Sequence, residues 1–326
     1  MSLQIIKAGI FDTVQDLGRY RYQHLGINPG GAMDRFSAQL ANALLGRNLH
    51  QPVIELHYPA STILFQQPTI ICISGADFTP AVNDSSVPLH QPLFVPAHSL
   101  LQWKGQRQGA RCYLSFLADL AIEPWLNSYS TNTKAAAGGY KGRPLLKDDV
   151  ISFYQTLLPY GFSNTVTSLP WKYQHKVEAS DTIEFLMGNE WSWLTENTQQ
   201  EFLQERFCIA PASDRMGYRL EGKPLKTATQ EQLISSAVSF GTIQLFPSGQ
   251  LVVLMADHQT TGGYPRIGHV ISAHLPRLAQ KRAGAEITFV PTSLKVAQEK
   301  WLARQQYLMQ LQKTCNLKMQ NWVNAH

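Results

Sequence analysis

Short apolar runs broken by turn residues constrain this chain more than any other feature. Thr69-Ile70-Ile71-Cys72-Ile73, Cys112-Tyr113-Leu114-Ser115-Phe116 and Leu251-Val252-Val253-Leu254-Met255 are the clearest. Each is too short for a buried helix and too apolar for a loop, so each reads as a buried strand. The 22 glycines and 18 prolines are scattered along the chain and break it at strand-like intervals. That spacing belongs to barrels and sandwiches, so the expected fold is mainly β with few helices. A length of 326 residues argues for two domains. The expected linker runs from Tyr160 to Gln174, where Gly161, Ser163, Asn164, Ser168 and Pro170 erase any periodicity. This places the domains at 1–165 and 166–326.

Three helices are expected. The first spans Ala32 to Leu45, with Met33, Phe36, Leu40 and Leu44 on one stripe and Gly46 as its stop. The second lies near His269 to Leu275 and is ended or kinked by Pro276. The third runs from Leu294 to Leu311, with Leu294, Ala297, Trp301, Leu308 and Leu311 on one face and Arg304 interrupting it. It reads as a tail docked on its own domain rather than as a partner-binding helix. A faint repeat pairs Gly30-Gly31 and Ser37-Ala38-Gln39-Leu40 with Gly262-Gly263 and Ser272-Ala273-His274-Leu275.

Composition closes off several function classes. The formal net charge is +5, and the tail from Thr292 holds most of that excess. There, Lys295, Lys300, Arg304, Lys313 and Lys318 face a single acid, Glu299. The body lacks the basic stripe and interleaved aromatics of a nucleic-acid binder. No stretch approaches the ~20 apolar residues of a membrane span. The start, Met-Ser-Leu-Gln-Ile-Ile-Lys, has no signal-peptide pattern, so a cytoplasmic location is expected. Cys72, Cys112, Cys208 and Cys315 form no close pair and read as inert reduced thiols.

Three segments carry chemistry. The first joins Gln15 and Asp16 to Gly30 and Gly31 just before a helix. Free amides at a helix start attract anions, and the glycines admit a ligand to the backbone. The same residues also suit a turn in which Asp16 pairs with Arg19 and Asp34 sits in the first helical turn. The second segment contains Arg215, Tyr218 and Arg219. In a strand the two arginines share a face and suit a carboxylate; a solvated strand paired with Asp214 and Glu221 is the plainer reading. The third runs from Asp257 through Gln259, Thr260, Thr261, Gly262, Gly263 and Tyr264 to Arg266, directly after an apolar strand. Asp257 suits a base or an orienting carboxylate, and the threonines and glycine amides suit an oxyanion. A tight turn closed by threonine side chains is the structural alternative. The candidate catalytic residues are Asp257, Gln259, Thr260, Thr261 and Tyr264. The candidate substrate-binding residues are Arg215, Tyr218, Arg219, Gly262, Gly263, Gln15, Asp16, Gly30 and Gly31.

Other motifs fail. His258, His269 and His274 do not share one helical face, so no metal site is expected. No P-loop and no nucleophile elbow is present. Leu317-Lys318-Met319 has its methionine after the lysine and lies in a polar tail, so no biotin attached to this chain is expected.

Taken in series, Thr13 to Arg19, Gly30 to Leu45, Ser74 to Asp77, Gly138 to Arg143, Ser213 to Gly222 and Gly241 to Leu278 resemble the carboxyltransferase-domain family. That family is related to the second component of allophanate hydrolase and to urea amidolyase, and its bacterial members include the C-subunit of 5-oxoprolinase. The resemblance spans nearly the whole chain. It implies two cyclophilin-like β-barrel domains, to which the residue pattern itself adds the C-terminal helix. It also implies a heteromeric complex with companion 5-oxoprolinase subunits of related fold, this chain being inactive alone. The complex uses ATP to hydrolyse 5-oxo-L-proline to L-glutamate, and the resemblance does not assign the ATP site to any one of its chains. Three departures stand out: Tyr20-Arg21 where relatives have Pro-Gly, His274 where relatives have Asp, and a long tail after Thr292. Two alternatives follow from the same resemblance. One is the carboxyltransferase component of a biotin-dependent urea or amide carboxylase. The other is a non-catalytic regulator paired with a kinase-inhibiting companion. Prolyl isomerase activity would rest on fold alone.

Overall fold

The computed structural model describes residues 2–154, 164–174, 180–229, 231 and 233–325. The chain forms two compact units. Unit 1 takes Met1–Gly18, Asp34–Lys176 and Gln305–His326, and unit 2 takes Arg19–Met33 and Val177–Arg304. A single cut at 165/166 differs from these bounds in three places: residues 19–33 fall in unit 2, and residues 166–176 and 305–326 fall in unit 1. Of the expected linker, residues 160–163 lie outside the described residues. Residues Thr167–Ser168 are a strand of unit 1 rather than a linker.

Among the described residues, unit 1 contains twelve strands. These are β1 Ser2–Lys7, β2 Thr13–Gln15, β3 Val53–Leu56, β4 Thr62–Phe65, β5 Thr69–Asp77 and β6 Pro80–Val82. They continue with β7 Ser85–Ser86, β8 Pro92–Val95, β9 Ser99–Trp103, β10 Gln108–Phe116, β11 Val150–Ser152 and β12 Thr167–Ser168. They form two sheets, ordered β11-β1-β4-β9-β6-β7 and β12-β8-β5-β10-β3-β2. The core between them is built from residues such as Leu3, Ile5, Ile63 and Phe65 of the first sheet and Ile54, Ile71, Ile73 and Leu114 of the second.

The unbroken apolar run in β5 has a direct cause. Ile71 and Ile73 face that core, while Ile70 and Cys72 face a second cluster with Leu40, Leu44 and Leu308. A strand covered on both faces loses the apolar–polar alternation of a half-exposed one. In β10 the second face is polar but equally buried. Tyr113 donates from its hydroxyl to Glu55 Oε2 at 2.8 Å, and Ser115 Oγ donates to Asn42 Oδ1 at 2.5 Å.

Helix α1 is Arg35–Leu44, shorter at its start than expected. Asp34 is the N-cap, and its carboxylate accepts from Ser37 N at 2.9 Å. Met33 therefore lies outside the helix and is buried in the core of unit 2. The stop at Gly46 stands: its φ of 70° is left-handed, and a side chain there would lie 2.5 Å from Asn316 Cα.

Unit 2 contains β13 Thr182–Met187, β14 Phe207–Ile209, β15 Gly217–Glu221, β16 Ser236–Ala237 and β17 Thr242–Leu245. It continues with β18 Leu251–Leu254, β19 Thr261–Gly262, β20 Arg266–Val270 and β21 Glu286–Pro291. Seven of them close a barrel in the order β13-β20-β17-β18-β15-β14-β21, and β16 and β19 form a separate two-stranded ribbon. The barrel core includes Ile183, Tyr218, Ile243, Val253 and Ile267, and Phe185, Trp191, Phe202, Phe207 and Phe289 cluster within it. Phe202 arrives on helix α2, Glu196–Gln204, capped by Thr195.

The expected helix at 269–275 is corrected. His269 and Val270 belong to strand β20, paired with β13 and β17. Helix α3 is Leu275–Ala279, and Pro276 lies in its first turn. Proline suits that position because the first helical N–H groups lack partners anyway. The faint repeat consequently has unlike structures in its two copies: Ser37–Leu40 is helical, Ser272–His274 is a turn, and Gly262 is in a strand.

The tail is a 32-residue helix, α4, Leu294–Ala325. From Gln305 onward it belongs to unit 1, not to the domain at 166–326. Leu308, Cys315 and Met319 are buried there among Leu40, Leu44, Leu45, Ile70 and Phe94. Gln312 and Asn316 donate their side-chain amides to Gly46 O at 3.1 and 2.9 Å. The expected apolar face is thus real at Ala297, Leu308 and Leu311, whereas Leu294 and Trp301 are exposed. Lys318 also lies within this helix. No helix among the described residues is long and apolar enough to cross a membrane.

Candidate functional site

The second and third chemical segments meet in unit 2. Strand β15 pairs with β18, setting Gly217 opposite Leu254. The chains run on side by side past the strand ends, with Asp257 N donating to Arg215 O at 2.8 Å. Asp214 fixes the turn before β15 by accepting from Met216 N and Gly217 N at 2.8 and 3.2 Å. Arg215 is thereby held beside Asp257. Its Nε donates to Asp257 Oδ2 at 2.8 Å and its Nη2 to Oδ1 at 3.0 Å, a two-pronged pair. Arg215 Nη2 also donates to Gly31 O at 2.7 Å, and Asn28 Nδ2 donates to Asp257 O at 3.1 Å. The loop carrying Gly30 (φ 63°) and Gly31 (φ 99°) is therefore bound to this ion pair. Only such left-handed backbone, which favours glycine, presents the Gly31 carbonyl here.

This geometry refines the expected roles. Arg215 spends its fork on Asp257, and each Asp257 carboxylate oxygen accepts from it. Arg215 precedes β15 and does not share a strand face with Arg219. Arg219 is exposed on the outside of β15, with no side-chain partner among the described residues, while Tyr218 points into the core.

Thr261 and Gly262 form β19, paired with Ser236 and Ala237, and Thr260 O accepts from Val238 N at 3.1 Å. Gly262 and Gly263 are thus part of, or adjoin, an extended ribbon and not a left-handed turn. Gln259 Nε2 donates to Gln244 Oε1 at 3.4 Å. Tyr264 is exposed and packs on Phe246 with ring centroids 4.4 Å apart. Arg266 pairs with Glu190 through Nε at 3.1 Å and Nη2 at 2.8 Å, and its Nη1 donates to Ser236 Oγ at 2.8 Å.

Gln15 and Asp16 belong to unit 1. Asp16 Oδ1 accepts from Gly18 N at 2.7 Å and Ser128 Oγ at 2.8 Å, and Oδ2 accepts from Tyr129 N at 2.7 Å. It is the anchor of the 128–130 loop. Gln15 Nε2 donates to Thr13 Oγ1 at 2.9 Å. The expected anion cradle at the start of α1 is corrected: the Asp34 carboxylate already occupies it, and a second anion would be repelled.

His274 supports the barrel from outside. Its Nδ1 accepts from Glu184 N at 2.9 Å, which requires a neutral ring. Burial, with Arg277 nearby, holds its pKa down to about 4 against the pull of Glu184. The folded value lies below the unfolded 6.5, so this contribution is complete above about pH 6.5 and is lost as pH falls towards about 4. A His274→Gln chain, which keeps an acceptor without a titrating ring, is expected to show a flatter decline in guanidinium midpoint over that window. Midpoints parallel to wild type would remove His274 as the cause. Asn28, Glu190 and Gln244 belong to no motif of the sequence; a glutamine between Ile243 and Leu245 in a buried run is the one available signal. No cluster of three His, Cys, Asp or Glu side chains among the described residues is placed to hold a metal ion.

Comparison with known proteins gives a consistent result. The family model for the carboxyltransferase domain, subdomains A and B, matches residues 25–291. The chain is 34% identical over 301 residues to the 5-oxoprolinase C-subunit of Haemophilus influenzae, covering 92% of this chain and 94% of that protein. It is 33% identical over 309 residues to the 5-oxoprolinase C-subunit of Escherichia coli, covering 95% and 97%. Among solved structures, the urea carboxylase of Kluyveromyces lactis matches with a TM-score of 0.86 at 25% identity, over 96% of this chain and 29% of that one.

Proposed function

Because the chain belongs to the carboxyltransferase-domain family, we propose that it is the C-subunit of a cytoplasmic ATP-dependent 5-oxoprolinase, inactive without its companions. The observation that carries this reading is likeness to relatives of that name over nearly their full length. The reaction opens the lactam of 5-oxo-L-proline to give L-glutamate. When bound in the complex, ATP would supply the energy, and opening the lactam would consume one water and release ADP and phosphate along with L-glutamate.

The residues of this chain bind and orient rather than activate ATP. The start of α1 does not fit a phosphate because Asp34 fills it. Arg215 and Asp257 hold the Gly30–Gly31 loop in one geometry, which presets the surface a small substrate meets. Arg219 is the cation of the second segment that remains available to a carboxylate.

The test is glutamate release from 5-oxoproline and ATP, run with the chain alone, with its companions, and with companions plus an Arg219→Ala chain. Release only in the mixtures, with KM raised by Arg219→Ala, is the expected result. No release in any mixture sinks the reading. The likeness to urea carboxylase favours one second reading, carboxyl transfer to urea, which predicts biotin-dependent turnover of urea instead.

A further inference from the structure

Unit 1 contains a cleft that none of the roles above uses. It lies where the last turns of α4 meet the end of α1 and the segment that follows β10, and all of its walls come from this one unit. Its volume is about 540 Å³, within the roughly 300–1,000 Å³ of small-molecule sites. The cleft has a local cause. Gly46 lets the backbone of α4 come close, and its carbonyl accepts from the side-chain amides of Gln312 and Asn316 at 3.1 and 2.9 Å. The helix is thus pinned at residues 312–316. Its remaining turns form one wall of the cleft, and residues 45–47 and 117–119 form the other.

The lining divides by chemistry. Leu45, Leu117, Ala118, Met319 and Val323 are its apolar part. Asn316, Gln320 and Asn324 are its amide part. These three recur every four residues, so they form one row along the helix, beside the row of Met319 and Val323. Asn316 spends its NH2 on Gly46, whereas Gln320 and Asn324 are exposed, with no hydrogen-bond partner among the described residues. The ionisable residues of the lining are Arg47 and Asp119, and they pair with each other. Arg47 also donates to Phe116 O. The lining therefore carries no spare charge with which to select a phosphate or a carboxylate. What it offers is amide edges above an apolar floor. A primary amide sets a donor beside an acceptor in one plane. Its complement is an edge with an acceptor beside a donor, on a ring flat and apolar enough to lie against leucine and methionine. Adenine has both, and it meets Asn or Gln through N7 and the N6 amino group.

We propose that this cleft binds the adenine ring of a nucleoside, its face on the apolar floor and its N6–N7 edge on the amides of Gln320 and Asn324. The inference goes beyond the function proposed above and does not need it, since the site is read by binding alone.

The probe is adenosine, titrated into the full chain labelled with 15N. The side-chain NH2 signals of Gln320 and Asn324, assigned by their loss in Gln320→Leu and Asn324→Leu, are expected to move and saturate. Binding measured on other shifting signals is expected to weaken at least tenfold in the double variant, which loses both hydrogen bonds to the base. Its melting temperature is expected to stay close to wild type, because both positions are exposed. ATP is expected to bind with an affinity similar to that of adenosine, since the Arg47 charge is already matched. Amide signals that stay still up to the solubility limit of adenosine overturn the proposal. So does equal binding by a folded double variant, or ATP binding that far exceeds that of adenosine at these signals. The wild-type titration decides even if the variant does not fold. Glutamate release by the complex is measured separately. Saturating amide signals without release would overturn the 5-oxoprolinase reading and keep the cleft. Release with still amide signals would do the reverse.

Discussion

A chain truncated after Arg304 is expected to lose the fold of unit 1. The deletion removes Leu308, Cys315 and Met319 from a buried cluster, together with the half-buried Leu311, Trp322 and Val323. It leaves Leu40, Leu44, Leu45, Ile70 and Phe94 facing water. Each buried large apolar side chain contributes about 1.5–3 kcal/mol, so the loss exceeds about 5 kcal/mol, comparable with the stability of a whole domain. The expected outcome is insoluble or molten protein, read by partition on expression and by near-ultraviolet circular dichroism. Leu308→Ala is the graded version, with an expected cost of about 2–5 kcal/mol. A truncated chain that melts within a few degrees of wild type would show that the helix is ornament rather than core.

Asp257→Ala is expected to abolish complex turnover and to destabilise unit 2 by about 3 kcal/mol. The Arg215 guanidinium is buried, and removing Asp257 takes away the carboxylate counter-charge it holds through two hydrogen bonds. Breaking a buried pair from one side is costly because the remaining charge cannot be rehydrated. Asp257→Asn keeps one acceptor and is expected to cost less. If Asp257→Ala lowers turnover with no loss of stability, the residue acts on substrate and not through Arg215. Loss of stability with full turnover in the surviving folded protein would remove the pair from the site.

What the sequence makes legible follows from the range of the interaction. Strands β5, β10 and β18 are readable because burial on both sides writes itself into five adjacent residues. The end of α1 is readable because Gly46 meets a local backbone demand. The stretch at 269–275 misleads because its strand character comes from pairing with β13 and β17, far away in sequence. Helix α2 is missed because one aromatic, Phe202, carries its buried face in an otherwise polar segment. The tail helix is legible as a helix, but its docking on unit 1 is decided by Gly46 and its neighbours some 270 residues earlier. The site shows the same division. Asp257 and Arg215 are each visible as chemical residues, yet the two-pronged pair that joins them is not. Gln244 carries no motif, and its burial on β17 is set by packing beyond its own strand.

The second apolar cluster of unit 1 has a further consequence. Cys72 on β5 and Cys315 on α4 both lie inside it as free thiols, and burial pushes both thiols up from their ordinary values. Thiolate is the reactive form, so neither sulfur meets a labelling reagent while the helix is seated. Their modification rate is therefore a native clock for helix departure, requiring no added probe. The ratio of that rate to the rate of a free thiol gives the opening free energy of this one contact, separately from global unfolding.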